Sequence, residues 1–311
     1  MCSANPYMHL NRLEFILTDH CTGRCRHCSA GELVQNPRPG HVPLEMSLQA
    51  IRDLAAMYPM QSVMTFGGEP LLYPEVTAAI HATAAECGIP ARQVITNGFF
   101  AKDEGRILEV AGMLADAGVN DLLISVDAFH QERIPLAPVR TFALAVKAAG
   151  VEKVRFSPAW VVNEAFDCPE NARTREILAA LADTGIPVGS GNDIFLSGCA
   201  AEHLAHYYPP AALDMADKCG SMPYTEPLTH QTSISIEPDG SVTLCGFAIG
   251  NVQEDGMADI IARYAPFAHE GMRAAMDGVP GLLALAERKG LAVDLARCYS
   301  VCDLCRRVNR G

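Results

Sequence analysis

The sequence predicts an α/β fold in which a parallel sheet flanked by helices is followed by a smaller α+β unit. Three observations carry this. Apolar runs of strand length alternate with segments of helical periodicity through about residue 190. The helical segments end at glycines and the connections are short, which suits repeated βα units with helices packed outside a parallel sheet. Beyond residue 190 that rhythm stops and cysteines gather. With 311 residues the chain exceeds an average domain, so units spanning 1–195 and 196–311 are expected. The element string fits a three-layer doubly wound sheet and a partial barrel equally well.

Taken in order, buried strands are expected at Leu13–Leu17, Ser62–Phe66, Arg92–Ile95, Asp121–Val126, Lys153–Val162 and, more weakly, Ile186–Val188. Between them, helical spacing covers Ser47–Tyr58, Pro74–Cys87, Glu104–Ala117, Val139–Ala149 and Asn171–Thr184. Ser47 is the natural N-cap of the first helix, and Gly88, Gly118, Gly150 and Gly185 stop four of them. The stretch from Gly185 to Gly198, rich in Gly, Ser and Pro, suits a boundary or crossing loop. After it, Thr232–Cys245 alternates on both sides of Pro238-Asp239-Gly240 and reads as a hairpin. Gly246 and Gly250 follow, then two or three helices between Met257 and Lys289.

Apolar residues make up 49% of the chain, ample for a large core. The net charge of −12 argues against nucleic acid, because no basic stripe is available to release counterions. A basic peptide or a neutral small molecule stays open as substrate. Met1–Arg12 lacks the pattern of an export signal and no apolar run is long enough to span a membrane, so a cytoplasmic protein without a membrane partner is expected. In a reducing compartment, the 12 cysteines read as metal ligands or catalytic thiols rather than disulfides.

The densest group is Cys21, Cys25 and Cys28, a C-x3-C-x2-C pattern just after the first strand. Three thiolates at that spacing suit a soft metal centre, zinc or iron–sulfur. Structural zinc wants four ligands and no fourth cysteine is near, whereas a cluster with one open iron needs three. Polar residues also collect at the ends of the later strands, where parallel βα folds carry their sites. Gly67-Gly68-Glu69-Pro70 ends the second strand, Thr96-Asn97 the third, and Ser125 and Asp127 the fourth, with His130 on the loop beyond. In the fifth strand, alternation puts Arg155 and Ser157 on one face.

On the cysteine spacing after the first strand, the sequence resembles the radical S-adenosylmethionine (SAM) enzymes, and Gly67–Pro70 resembles that family's GGEP motif. The resemblance implies a partial (β/α)6 TIM-like barrel. It also implies a [4Fe–4S] cluster on Cys21, Cys25 and Cys28 whose open iron binds SAM, and an electron donor such as flavodoxin or ferredoxin. The second-strand backbone and Glu69 would hold the SAM amino group, Thr96, Asn97 and Ser125 the ribose, and Arg155 or Ser157 the carboxylate. Asp127 and His130 are candidates for substrate contact or acid–base work.

The tail resembles the twitch or SPASM-like extension that carries an auxiliary cluster, on Gly240-x4-Cys245 and the closing Cys302-x2-Cys305. Five of the six cysteines beyond residue 190 lie there, which suits one auxiliary [4Fe–4S] cluster, with four-cysteine zinc as the alternative. Cys219, Cys245, Cys302 and Cys305 are the expected ligands. Cys298 is then spare and a candidate hydrogen donor of the kind an epimerase needs. Cys2, Cys87, Cys168 and Cys199 are scattered. The implied function is hydrogen abstraction by a 5′-deoxyadenosyl radical from a ribosomally made peptide, leading to epimerisation or cross-linking. Oxidation of a small alcohol is the alternative, and a non-catalytic iron–sulfur sensor is a further one.

Overall fold

The computed structural model describes residues 5–208, 213–222 and 225–310, so Cys2 lies outside it. The expected α/β partial barrel is present. Its parallel strands are β1 (Met8–Ile16), β2 (Ser62–Phe66), β3 (Ala91–Thr96), β4 (Asp121–Ser125) and β5 (Lys153–Ser157). The short α1 (Glu32–Gln35) and then α2 (Leu44–Met57) lie between β1 and β2, and α3 (Pro74–Glu86), α4 (Glu104–Asp116) and α5 (Leu136–Ala148) separate the later strands. The glycines expected as helix stops do this by adopting left-handed φ, for example +72° at Gly88 and +78° at Gly118.

Alternation along β1 explains the layering. Leu13, Phe15 and Leu17 are fully buried and pack with Ile51 and Leu54 of α2 and Ile80 of α3. Each such side chain contributes about 1.5–3 kcal/mol by leaving water. The opposite face of β1 carries Arg12 and Glu14, paired at 2.6 Å, inside the barrel curve. Arg12 also donates to Gln93, and Gln93 to Asp121, so a polar layer crosses the strands near their N-terminal ends.

Three expectations need correction. Ser47 is not a cap: α2 begins three residues earlier behind Pro43, and Ser47 is buried within it. The long fifth strand is broken at Pro158, which has no N–H to donate; after it β6 (Ala159–Trp160) leaves the main sheet. The strand expected at Ile186–Val188 is reduced to one bridge between Val188 and Phe156. Beyond α6 (Pro169–Ala179), the partner of β6 is instead β7 (Asn192–Asp193).

After α7 (Cys199–His203), the hairpin forms as β8 (Gln231–Ile236) and β9 (Ser241–Leu244), extended by β10 (Phe247–Asn251). β8 pairs in parallel with β1, so one eight-stranded sheet runs in the order β10-β9-β8-β1-β2-β3-β4-β5. The helices α8 (Met257–Arg263), α9 (Glu270–Met276), α10 (Gly278–Arg288) and α11 (Val301–Arg310) complete the chain. The apolar cluster begun by Leu13 and Phe15 continues through Ile234, Val279, Leu282 and Leu304, across the expected boundary at residue 195.

Candidate active site

The cysteine loop leaves the C-terminal end of β1 and is tied down by its neighbour. Gly68 and Glu69 donate backbone N–H groups to Thr18 and His20 carbonyls, each at 2.7 Å. The two glycines make this possible: a Cβ on Gly67 would lie 2.7 Å from the Thr18 oxygen, and one on Gly68 only 2.0 Å from that of His20. Their small size thus serves the backbone of the cysteine loop as well as any ligand.

Cys21, Cys25 and Cys28 line a cleft of about 370 Å³ at the strand ends. A Cβ built on Gly23 would sit 3.2 Å from the Cys25 Sγ and 3.6 Å from the Cys21 Sγ, so the backbone here runs close beside two of the thiols. Burial, aided by the Glu69 charge, pushes the Cys21 thiol up to about 11; burial and then Asp127 raise Cys25 further. Three sulfur donors from one short loop face this single cleft. The donor set therefore fits an iron–sulfur centre.

Gly67, Gly68, Thr96, Asn97, Ser125, Asp127, His130 and Ser157 line the same cleft. Glu69 and Pro70 stand behind it. Glu69 is fully buried, and its carboxylate accepts from Leu71 N (3.0 Å), Thr96 Oγ1 (2.6 Å) and Asn97 N (2.8 Å). Burial raises its pKa to about 6 against the pull of those bonds. It is placed to hold the ends of β2 and β3 together, and its three accepted bonds leave acceptor capacity on the carboxylate. The expectation for Arg155 is corrected. It shares the inner face with Ser157 but sits lower, bound to Asp121 in the polar layer, away from the cleft.

Asp127 organises the mouth. Its Oδ1 accepts from the backbone N–H of Phe129 and of His130, each at 3.0 Å. Its Oδ2 faces His130 Nδ1 at 2.8 Å and Ala159 N at 3.1 Å. Burial alone would raise this carboxyl, but His130, His27 and the hydrogen bonds hold it well below the usual range. Sequence reasoning passed over His27, although it lies inside the cysteine motif. It is flanked by the Phe129 and His130 rings, each 4.9 Å away, and its Nδ1 is buried with no partner. It also passed over Asn192–Phe195, which forms one wall of the cleft. The crossing-loop signal marked that segment without revealing its direction.

In the tail, the charges of Cys219, Cys302 and Cys305 all bear on Cys245, and burial first, then these neighbours, pushes Cys245 up to about 12. The other three thiols lie within electrostatic reach of Cys245, and four sulfur donors are the set an auxiliary iron–sulfur centre takes. Cys298 stands apart. It is 1% exposed in the apolar core and its S–H donates to its own Asp294 carbonyl at 3.5 Å. It does not line the cleft. Among the scattered cysteines, the Cys199 backbone N–H donates to the Cys28 carbonyl at 3.0 Å.

Comparison with known proteins agrees with this geometry. The radical SAM superfamily model matches residues 15–196, and a model for the SPASM iron–sulfur cluster-binding domain matches 228–277. A GTP 3′,8-cyclase of Pseudomonas fluorescens (strain Pf0-1) is 32% identical over 143 residues, 46% of this chain and 41% of that protein. One of Mycolicibacterium smegmatis is 34% identical over 150 residues, again 46% of this chain and 40% of its own length. The matched stretch therefore spans about two fifths of these curated relatives. The structure of native anSMEcpe with bound AdoMet superimposes with a TM-score of 0.51 at 15% identity, covering 81% of this chain and 80% of that one, a likeness of fold. The chain belongs to the radical SAM superfamily, whose members use SAM with a [4Fe–4S] cluster, and it carries a SPASM-type iron–sulfur domain behind the barrel.

Proposed function

We propose that this chain is a radical SAM oxidoreductase acting on a substrate without a phosphate chain, a peptide residue before any other. Cys21, Cys25 and Cys28 would hold the SAM-binding cluster, and Cys219, Cys245, Cys302 and Cys305 the auxiliary one. When bound, the first supplies the electron that cleaves SAM to a 5′-deoxyadenosyl radical, and the second supplies an electron-transfer centre. Residues 1–195 and 196–311 divide the two tasks.

The observation that carries this reading is the charge of the cleft wall. Among the described residues that line it there is no lysine or arginine, while Asp127 and Asp193 both do. GTP, named for the cyclase relatives, would bring several negative charges to a wall where Asp127 and Asp193 stand and where the cations at hand are His130 and the Arg306 guanidinium over the Phe195 ring. A cationic or neutral substrate meets no such cost. Thr96, Asn97, Ser125 and Ser157 offer hydroxyl and amide groups to SAM along the strand ends. Cys298 is buried away from the cleft, which favours cross-linking over epimerisation as the outcome for a peptide.

Dehydrogenation of a small alcohol is a second reading, favoured by the Asp127–His130 pair. Nδ1 is bonded to Asp127, which against the pull of burial raises the His130 pKa, so Nε2 is the nitrogen left to exchange a proton with a hydroxyl. The test is anaerobic incubation of the reconstituted chain with SAM, a reductant and, in turn, GTP or a short peptide encoded beside its gene. 5′-Deoxyadenosine should form with the peptide, which should lose a hydrogen pair. Cyclisation of GTP would overturn the proposal.

A further inference from the structure

Arg38 lies on the loop between α1 and α2 and joins two parts of the chain that the site description keeps separate. Toward the N-terminal cysteines it grips Asp19, two residues before Cys21. Nε donates to Oδ2 at 2.6 Å, Nη2 to Oδ1 at 3.0 Å, and the Arg38 backbone N–H adds a bond to Oδ2 at 3.1 Å. Toward the tail, Nη1 reaches Glu237 at 2.8 Å and Asp239 at 3.1 Å, on the turn between β8 and β9. Asp19 is 2% exposed and cannot stand as a carboxylate there without a partner. One planar guanidinium satisfies both sides at once, a geometry that lysine cannot reproduce.

Each side of this bridge is stiff. Thr18 Oγ1 donates to the Gly40 carbonyl at 2.7 Å, and Val42 N to that of Leu17 at 2.9 Å, lacing the Arg38 loop to the start of the cysteine loop. On the far side, the Asp239 carbonyl accepts from the side chains of Asn251 and Gln253, and the Asp239 carboxylate caps Ser241 N. The hairpin is therefore held as a unit, and β9 leads from it to Cys245.

We infer that Arg38 is a positioning residue through which the β8–β9 hairpin fixes the cysteine loop 18–28, so that the two thiol sets are mechanically coupled. The assignment of those thiols to clusters comes from the reading above, but the coupling is measured without reference to it. Hydrogen–deuterium exchange on the full reconstituted chain, kept anaerobic, reports the loop directly. Glu237→Gln with Asp239→Asn removes two charges from the hairpin and leaves the loop sequence intact. Amides in 18–28 should exchange at least about threefold faster, with those of α4 and α5 unchanged, as expected when a partly exposed charged contact is lost. Arg38→Lys should give an intermediate increase. Should the double variant open globally, Asp239→Asn alone, at a half-exposed carboxylate, decides the matter by the same readout. Faster exchange confined to 18–28 supports the coupling. Unchanged exchange there overturns it and leaves Arg38 only the task of neutralising Asp19. Failure of the cluster assignment would show separately, as iron content independent of Cys21, Cys25 and Cys28.

Discussion

A carboxylate that accepts three hydrogen bonds tolerates no neutral substitute that must also donate. In Glu69→Gln the new amide would face one of the donors from Leu71, Thr96 or Asn97. One buried group then loses its partner, and stability should fall by about 1–3 kcal/mol in chemical denaturation. An unchanged midpoint would show that the ends of β2 and β3 are not joined through this group. The cysteines separate by the same logic of surroundings. Cys298→Ala removes a sulfur from an apolar pocket, so it should cost about 1–2 kcal/mol and keep the full iron content. Cys302→Ala should lose the auxiliary iron while the cleft keeps its own; equal iron in both variants would break this assignment. Spacing alone made Cys21, Cys25 and Cys28 legible. It could not do so for Arg155, because alternation tells which face a strand residue takes but not how far up the barrel it acts.

At the level of elements, the junction between β2 and the cysteine loop is the least forgiving. Gly68→Ala puts a methyl 2.0 Å from the His20 carbonyl oxygen and 2.6 Å from its carbon, and neither backbone can yield without releasing the loop. We expect a loss of at least about 3 kcal/mol and of iron at the N-terminal centre, with the tail still loaded. Normal iron content at both sites would contradict the packing described. The elements that were readable from sequence share an apolar run of helix or strand length and a glycine stop, as α3 and α4 do. Those that were not are set by contacts the periodicity does not contain. The start of α2 depends on Pro43 rather than Ser47, and β7 finds its place by pairing with β6 across the break at Pro158.

For the molecule as a whole, the expected boundary does not correspond to a gap in packing. A fragment ending at residue 208 would leave β1 without its neighbour β8 and expose the apolar surface that meets Ile234, Val279 and Leu304. Such an edge recruits other chains, so the fragment should aggregate when expressed alone. A monodisperse, folded fragment would show the barrel to be self-sufficient. The change in rhythm near residue 190 marks where the βα repeat stops, but the partner of β1 could not be read from it because strand pairing over such a distance leaves no local mark. That distance also sets a clock during synthesis. β1 leaves the ribosome about 215 residues ahead of β8, and at about 5–20 residues per second its open side waits roughly 10–40 s for closure. The loop bearing Cys21, Cys25 and Cys28 spends that interval beside a sheet whose edge at β1 is still open.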